Sequence, residues 1–227
     1  MGILQSFKEK LIKDKIKYEV VEYEQPIDPT SMESKTQYED LEAVVITSYK
    51  TQKNTLQLPT HIDGKRIRGI GERAFAECDT LKTLTIPEGV EMIGENAFYK
   101  CLNLASVALP KRMISIGKEA FYNCINLTSI ILPEGVTSIG AATFTGCASL
   151  RSITIPRSVM LIDEYAFQAC QDLSVVYYCG TAEDFKKVKI YAPNLSFYNA
   201  TLYFYSESQP ASPGRFWHYV LGKPTPW

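Results

Sequence analysis

From Leu81 to Pro87 the chain reads Leu-Lys-Thr-Leu-Thr-Ile-Pro, so Leu84 and Ile86 alternate with polar neighbours. That period of two predicts a strand with one buried face, and the proline, having no amide hydrogen to give a ladder, ends it. Val90 and Ile93 are the next apolar positions, followed by Gly94 and a short turn through Ala97-Phe98 to Cys101. The pattern then starts again. Phenylalanine recurs at Phe75, Phe98, Phe121, Phe144 and Phe167, leucine at Leu81, Leu104, Leu127, Leu150 and Leu173, each at intervals of 23 residues. Cysteine keeps the same step at Cys78, Cys101, Cys124, Cys147 and Cys170, and proline at Pro87, Pro110, Pro133 and Pro156. A fixed period of this length is the signature of a repeat array. A unit of 23 residues has room for one strand and a tight return, but not for a long helix. No single unit can bury its apolar face. Stacked in register, the units pair their strands into a parallel sheet and bury the rest in a spine of Phe over Phe and Cys over Cys. With strands about 4.8 Å apart, five coils span roughly 24 Å.

The flanks break the pattern and predict caps. Residues 1–41 form an N-terminal helical and linker region, with Leu4, Phe7 and Leu11 at helical spacing among five lysines, then a polar stretch over 24–40. Residues 42–66 read as a capping hairpin, Ala43–Thr47 against Thr55–Pro59, whose second strand is a degenerate first repeat with an insertion around Asp63-Gly64. The repeats run over 67–178. Residues 179–207 form a C-terminal cap, in which Thr181 caps a short helix ending near Val188 and 200–205 is a last strand. An aromatic tail, 208–227, carries Phe216, Trp217, Tyr219 and Trp227, and reads as a flap over the C-terminal edge, with a partner-binding arm as the alternative.

The repeated unit Ala97-Phe98-x-x-Cys101-x-x-Leu104-x-x-Val107-x-Leu109-Pro110-x-x-x-x-x-Ile116-Gly117 resembles the BspA-type (Treponema pallidum-like) leucine-rich repeat family over about half the chain. The resemblance implies a right-handed leucine-rich repeat solenoid. A parallel β-sheet would form one face, short turns or single-turn helices the other, and caps would close both ends. It also implies a bacterial protein with an adhesive or protein-binding role, which favours the cell surface. One unit departs from the motif: Asp163 stands where the others carry Gly71, Gly94, Gly117 and Gly140, which predicts a looser last turn.

Charge and composition narrow the function further. The 227 residues include 24 basic and 25 acidic side chains, a net charge of -1 that gives no field for nucleic acid. No apolar run approaches the ~20 residues of a membrane-spanning helix. The N-terminus lacks a charged start followed by an apolar core, so the chain as written predicts no secretory signal and a cytoplasmic place. Met1-Gly2-x-x-x-Ser6 matches a myristoylation pattern, and a basic amphipathic anchor over residues 1–17 is the alternative, membrane-associated reading.

Six cysteines and two histidines invite redox or metal chemistry, but no Cys-x-x-Cys pair is present, and His61 and His218 lie in opposite terminal regions. Laddered cysteines would sit within disulfide range, yet their side chains point the same way and five cannot all pair. They therefore read as a buried thiol ladder, with Cys179 alone out of phase. Gly69-x-Gly71-x-x-Ala74 imitates a dinucleotide fingerprint, but Gly71 belongs to a repeated column. No catalytic set, cofactor motif or metal cluster is predicted. Asn126, Asn194 and Asn199 head glycosylation sequons. Alternate strand positions must point away from the spine. This makes Lys82, Thr85, Ala108, Thr128, Ile131, Arg151, Thr154 and Tyr177 the candidate binding face of a non-enzymatic scaffold for a protein or glycan.

Overall fold

The computed structural model describes residues 16–22, 42–211 and 213–227. The readings made on residues 1–15 and on the 24–40 linker lie outside the described residues. Ile16 and Lys17, which the sequence placed at the end of the helical anchor, instead begin strand β1 (Ile16–Glu22). The local pattern explains the difference, because Ile16, Tyr18 and Val20 alternate with charged residues and Ile16 and Tyr18 are buried.

β1 pairs antiparallel with β2 (Glu42–Tyr49). The expected hairpin between residues 43–47 and 55–59 does not form. β3 (Thr55–Gln57) enters a different sheet, and residues 50–54 carry the chain around the corner between the two. The hairpin is instead β4 (His61–Ile62) with β5 (Lys65–Ile70), closed by the insertion at Asp63 and Gly64, both at positive φ (49° and 77°). A two-residue loop with both residues left-handed matches the twist of the strands it joins.

Each later coil gives one strand to each of two walls. The pairs are β6 (Thr83–Thr85) and β7 (Met92–Ile93), then β8 (Ser106–Ala108) and β9 (Ser115–Ile116). They continue with β10 (Ser129–Ile131) and β11 (Ser138–Ile139), then β12 (Ser152–Ile155) and β13 (Leu161–Ile162). The register is the sequence period itself: Leu84 faces Val107 and Ile130 faces Ile153. The molecule is a parallel-strand solenoid of about seven turns.

Between the walls the chain rounds the phenylalanine corner in turns, not single-turn helices. Two residues per coil are left-handed there, as Asn96 (φ 54°) and Lys100 (φ 53°) are. Their strain is offset by a third run of inter-coil bonds, in which the Phe75, Phe98 and Phe121 amides donate to the Ala97, Ala120 and Thr143 carbonyls at 2.8–2.9 Å. The glycine column answers to close approach: a Cβ on Gly117 would lie 2.5 Å from the Glu95 amide nitrogen.

The spine is an aromatic stack. Neighbouring rings from Phe75 to Phe167 lie 5.2–5.5 Å apart, with Tyr49 added at one end and Phe197 at the other. The five in-phase cysteines are free and buried. They also have a partner that spacing did not reveal. The thiols of Cys101, Cys124, Cys147 and Cys170 donate to the carbonyls of Phe75, Phe98, Phe121 and Phe144 in the preceding coil, at 3.0–3.2 Å.

The C-terminal end begins at β14 (Val175–Tyr178), followed by α1 (Ala182–Phe185), which is shorter than expected. β15 (Lys189–Ile190) is the last strand of the second wall; α2 (Leu195–Asn199), unforeseen in the sequence, and β16 (Thr201–Tyr205) follow. Here side chains substitute for a missing coil. Asn194 is buried and accepts from the Phe167 amide at 2.9 Å, the bond that a following coil's carbonyl would otherwise make. The tail folds as β17 (Phe216–Val220) and β18 (Lys223–Pro226), joined at Leu221-Gly222. β17 continues the first wall parallel to β16, and β18 returns antiparallel.

Both walls are interrupted at one place. No ladder joins β8 to β10 or β9 to β11, although the next pairs on each side are regular. The loosening expected at Asp163 is absent there, since its amide still bonds the Ile139 carbonyl at 2.9 Å. It falls one coil earlier. A Cβ on Gly140 would meet nothing closer than 3.5 Å. The interruption coincides with Pro110-Lys111-Arg112-Met113, where the adjoining coils read Pro-Glu-Gly-Val at 87–90 and 133–136. Met113 is fully buried, and its carbonyl approaches Gly135 so closely that a Cβ would sit 2.3 Å away. The coils touch at that corner and part along the walls.

Candidate functional site

The parting opens a cleft of about 630 Å³ on the first wall. Residues 106–109 and Lys111 form one side, 129–134 the other, and Cys179 and Tyr219 complete it. The small Ser106, Ala108 and Ser129 side chains leave the backbone approachable, and Ile131, 44% exposed, is the largest apolar contact beside them. Lys111 and Glu134 give the cleft one charge of each sign.

The out-of-phase cysteine belongs to this cleft. Cys179 is partly exposed, and burial pushes its thiol up to about 12, with the Glu134 charge adding to the rise and a hydrogen bond with Tyr219 opposing it. Tyr219 is likewise held up to about 12, chiefly by burial. The thiol therefore stays protonated at neutral pH and is a hydrogen-bonding group, not an activated nucleophile.

Of the candidate face, Lys82, Thr85, Ala108, Thr128, Ile131 and Arg151 are exposed. Thr154, 2% exposed, is removed from the accessible surface, and Tyr177 is half-buried. The sequence could not show that the tail turns back onto this wall. Trp217 packs over Tyr177 with ring centroids 5.3 Å apart, and Thr154 lies between Ile131 and Tyr177 in the register. Of the tail residues, Trp217 is fully buried and Phe216 half-buried, whereas Tyr219 and Trp227 are 44% and 43% exposed. Trp227 stacks on His218 at 3.6 Å. The tail is thus docked and not a free arm. Lys111, Glu134, Cys179 and the 110–113 corner were missed as site residues. The signals were the departure of that corner from the repeat and the out-of-phase position of Cys179.

Two of the sequon asparagines have structural partners: Asn194 donates to the Asp163 and Tyr191 carbonyls, and Asn126 donates to the Leu102 carbonyl. Among the described residues no group of His, Cys, Asp and Glu could hold a metal ion, and no helix is long and apolar enough to cross a membrane.

Comparison with known proteins agrees with this architecture. The family model described as the BspA type Leucine rich repeat region matches residues 49–191 in six copies. A crystal structure of a Treponema pallidum leucine rich repeat protein is 29% identical with a TM-score of 0.59, covering 75% of this chain and 68% of that one. A leucine rich cell surface protein from Faecalibacterium prausnitzii is 27% identical with a TM-score of 0.65, covering 80% of this chain and 42% of its own. The pneumococcal vaccine antigen PcpA, 23% identical, shares the fold with a TM-score of 0.59 over 71% of this chain and 39% of that one. The chain thus spans well under half the length of the latter two. No curated protein sequence matches it.

Proposed function

Because the chain belongs to the BspA-type leucine-rich repeat family, we propose that it acts by binding and not by catalysis, presenting the open part of its first wall to a protein partner at a bacterial cell surface. The observation that carries this reading is the cleft at the wall interruption, where exposed Ile131 stands beside Lys111, Glu134 and a floor of small side chains. A mixed-charge, partly apolar cleft of about 630 Å³ suits a projecting segment of another protein. Thr85, Ala108 and Thr128 extend the contact along the wall, and Lys82 and Arg151 flank it. The cell-surface setting and an adhesive role draw on the family and on the description of the Faecalibacterium relative. The test compares Ile131→Glu with Ile114→Glu, a control at another exposed isoleucine, on arrays of bacterial and host surface proteins and glycans. Partners lost by the first variant and kept by the second support the cleft. Identical binding by both variants places recognition elsewhere, and capture of glycans alone replaces the protein partner.

A further inference from the structure

The seat of Trp217 is built like a ligand site. The indole lies 5.3 Å from the Tyr177 ring, 5.2 Å from Tyr205 and 4.9 Å from Tyr219, and its Nε1 donates to the Tyr178 carbonyl at 2.9 Å. Tyr177, Tyr178 and Tyr205 belong to the solenoid, so most of the seat remains when the tail is taken away. What is left is an aromatic recess, a backbone acceptor at its end, and the edge of β16. That chemistry recognises an indole-bearing strand: ring faces and edges for the indole, a carbonyl for its N–H, and backbone groups for the strand.

The occupant is held chiefly by side chains, the buried Trp217 and the Trp227 Nε1 bond to the Ser206 carbonyl, with little backbone pairing. β17 pairs with β16 through only two positions, Phe204 with Phe216 and Tyr205 with Trp217. The hairpin beyond is largely its own unit, with β17 and β18 paired over four positions and His218 stacked on Trp227. Its tip is solvated, with Leu221 99% exposed. The connection from Ser206 to Arg215 is exposed at residues 207–209 and 213–215. Ten residues reach about 33 Å when extended, far enough to bridge to a neighbouring molecule.

We propose that this seat is also a docking site for a second copy of the chain, two molecules pairing by exchange of their C-terminal tails. Every contact made within one molecule is reproduced between two, because the same Trp217 meets the same Tyr177, Tyr178 and Tyr205. The tethered tail competes at an effective concentration of roughly millimolar. The chain is therefore monomeric when dilute and pairs where it is crowded. The seat adjoins the cleft, because Tyr219 packs on Trp217 and also lines the cleft, but an exchanged tail would supply the same Tyr219 there.

The experiment separates seat from tail. A full-length Trp217→Ala chain keeps the seat but lacks the indole. A full-length chain with Tyr177→Ala and Tyr205→Ala keeps the indole but lacks the recess. The expected result is that the two, mixed, sediment as a heterodimer at a concentration at least about ten-fold lower than the wild type needs, since neither carries a complete competing contact of its own. A second measurement needs no substitution at the seat: wild-type chains carrying two different dyes are concentrated, diluted and read for energy transfer. Mixed pairs that vanish when both chains carry Trp217→Ala support exchange. Mixed pairs that persist with Trp217→Ala on both chains, or no mixed pairs in either experiment, overturn it.

Discussion

Phe121 sits at the most exposed joint of the solenoid's architecture. Its ring stacks on Phe98 at 5.2 Å and on Phe144 at 5.5 Å, and it is wholly buried. Across the same joint both walls are interrupted, so the phenylalanine corner carries much of the coupling. The Phe121 amide donates to the Thr143 carbonyl at 2.9 Å, and its own carbonyl accepts from the Cys147 thiol at 3.2 Å. Phe121→Ala removes about 150 Å² of buried ring surface, which at ~25 cal/mol/Å² is near 4 kcal/mol. That agrees with the ~3–5 kcal/mol typical of such truncations. Phe98→Ala removes the same ring between coils whose strands remain laddered (Leu84 to Val107 among them), so its cost is similar but its consequence differs. In a stacked array the coupling between neighbours sets cooperativity. Phe121→Ala should therefore split urea unfolding into two transitions. Far-UV circular dichroism would see both, and the fluorescence of Trp217 and Trp227, both in the C-terminal part, would follow one. Phe98→Ala should leave the probes coincident. A loss below about 1 kcal/mol, or coincident transitions in Phe121→Ala, would refute the assignment of the joint to the aromatic column.

Other consequences can be checked one substitution at a time. Gly117→Ala should destabilise by about 2 kcal/mol or more, because its Cβ would press on the Glu95 amide at 2.5 Å. Gly140→Ala, with nothing nearer than 3.5 Å, should be neutral or gain about 0.4–1 kcal/mol, and thermal melts of the pair test the sign. Thiol titration of the native protein should find no fast-reacting cysteine, all six reacting on unfolding; a fast native thiol at any in-phase position would contradict the buried ladder. Asp184 is held down from 3.8 to about 2, first by hydrogen bonding from Thr181 and then by Arg157 and Lys187. Its folded pKa is depressed, so its contribution is present above pH 4 and fades as pH falls towards 2. Asp184→Asn should flatten the stability profile across that window and lower stability by a constant amount at higher pH, where the wild-type carboxylate is charged in both states.

The repeat was legible because stacked coils meet like residue on like residue, and the period recorded the pairing register directly. Leu84, Val107 and Ile130 could be assigned to the buried face from spacing alone. What period cannot carry is anything that happens once. The strand β1 was hidden inside a lysine-rich stretch that also fits a helix. The 43–47 and 55–59 runs both looked like strands, and nothing local told which sheet each would join. The site was legible only in outline. Ile131 and Ala108 are exposed on the open wall, whereas Thr154 is buried and Tyr177 is half-covered by Trp217 of a tail joined to the cap through residues 206–215. Spacing showed the cysteines as a buried ladder, but not that each thiol from Cys101 to Cys170 ties its coil to a phenylalanine carbonyl in the coil before.

The closing strands at the two ends lie on opposite walls. Among the described residues, β1 shuts the second wall at the N-terminal end with an antiparallel strand and leaves β3 as the open edge of the first. At the C-terminal end β18 shuts the first wall, with Pro224 and Pro226 removing two amides, and leaves β15 open on the second. A copy stacked head to tail would set β3 against β18 and β15 against β1. Each such contact would be antiparallel, so the parallel register of the coils would not pass from one copy to the next. What hinders that stacking is the missing pair of donors at Pro224 and Pro226, which blunts the β18 edge where it would meet β3 of another copy.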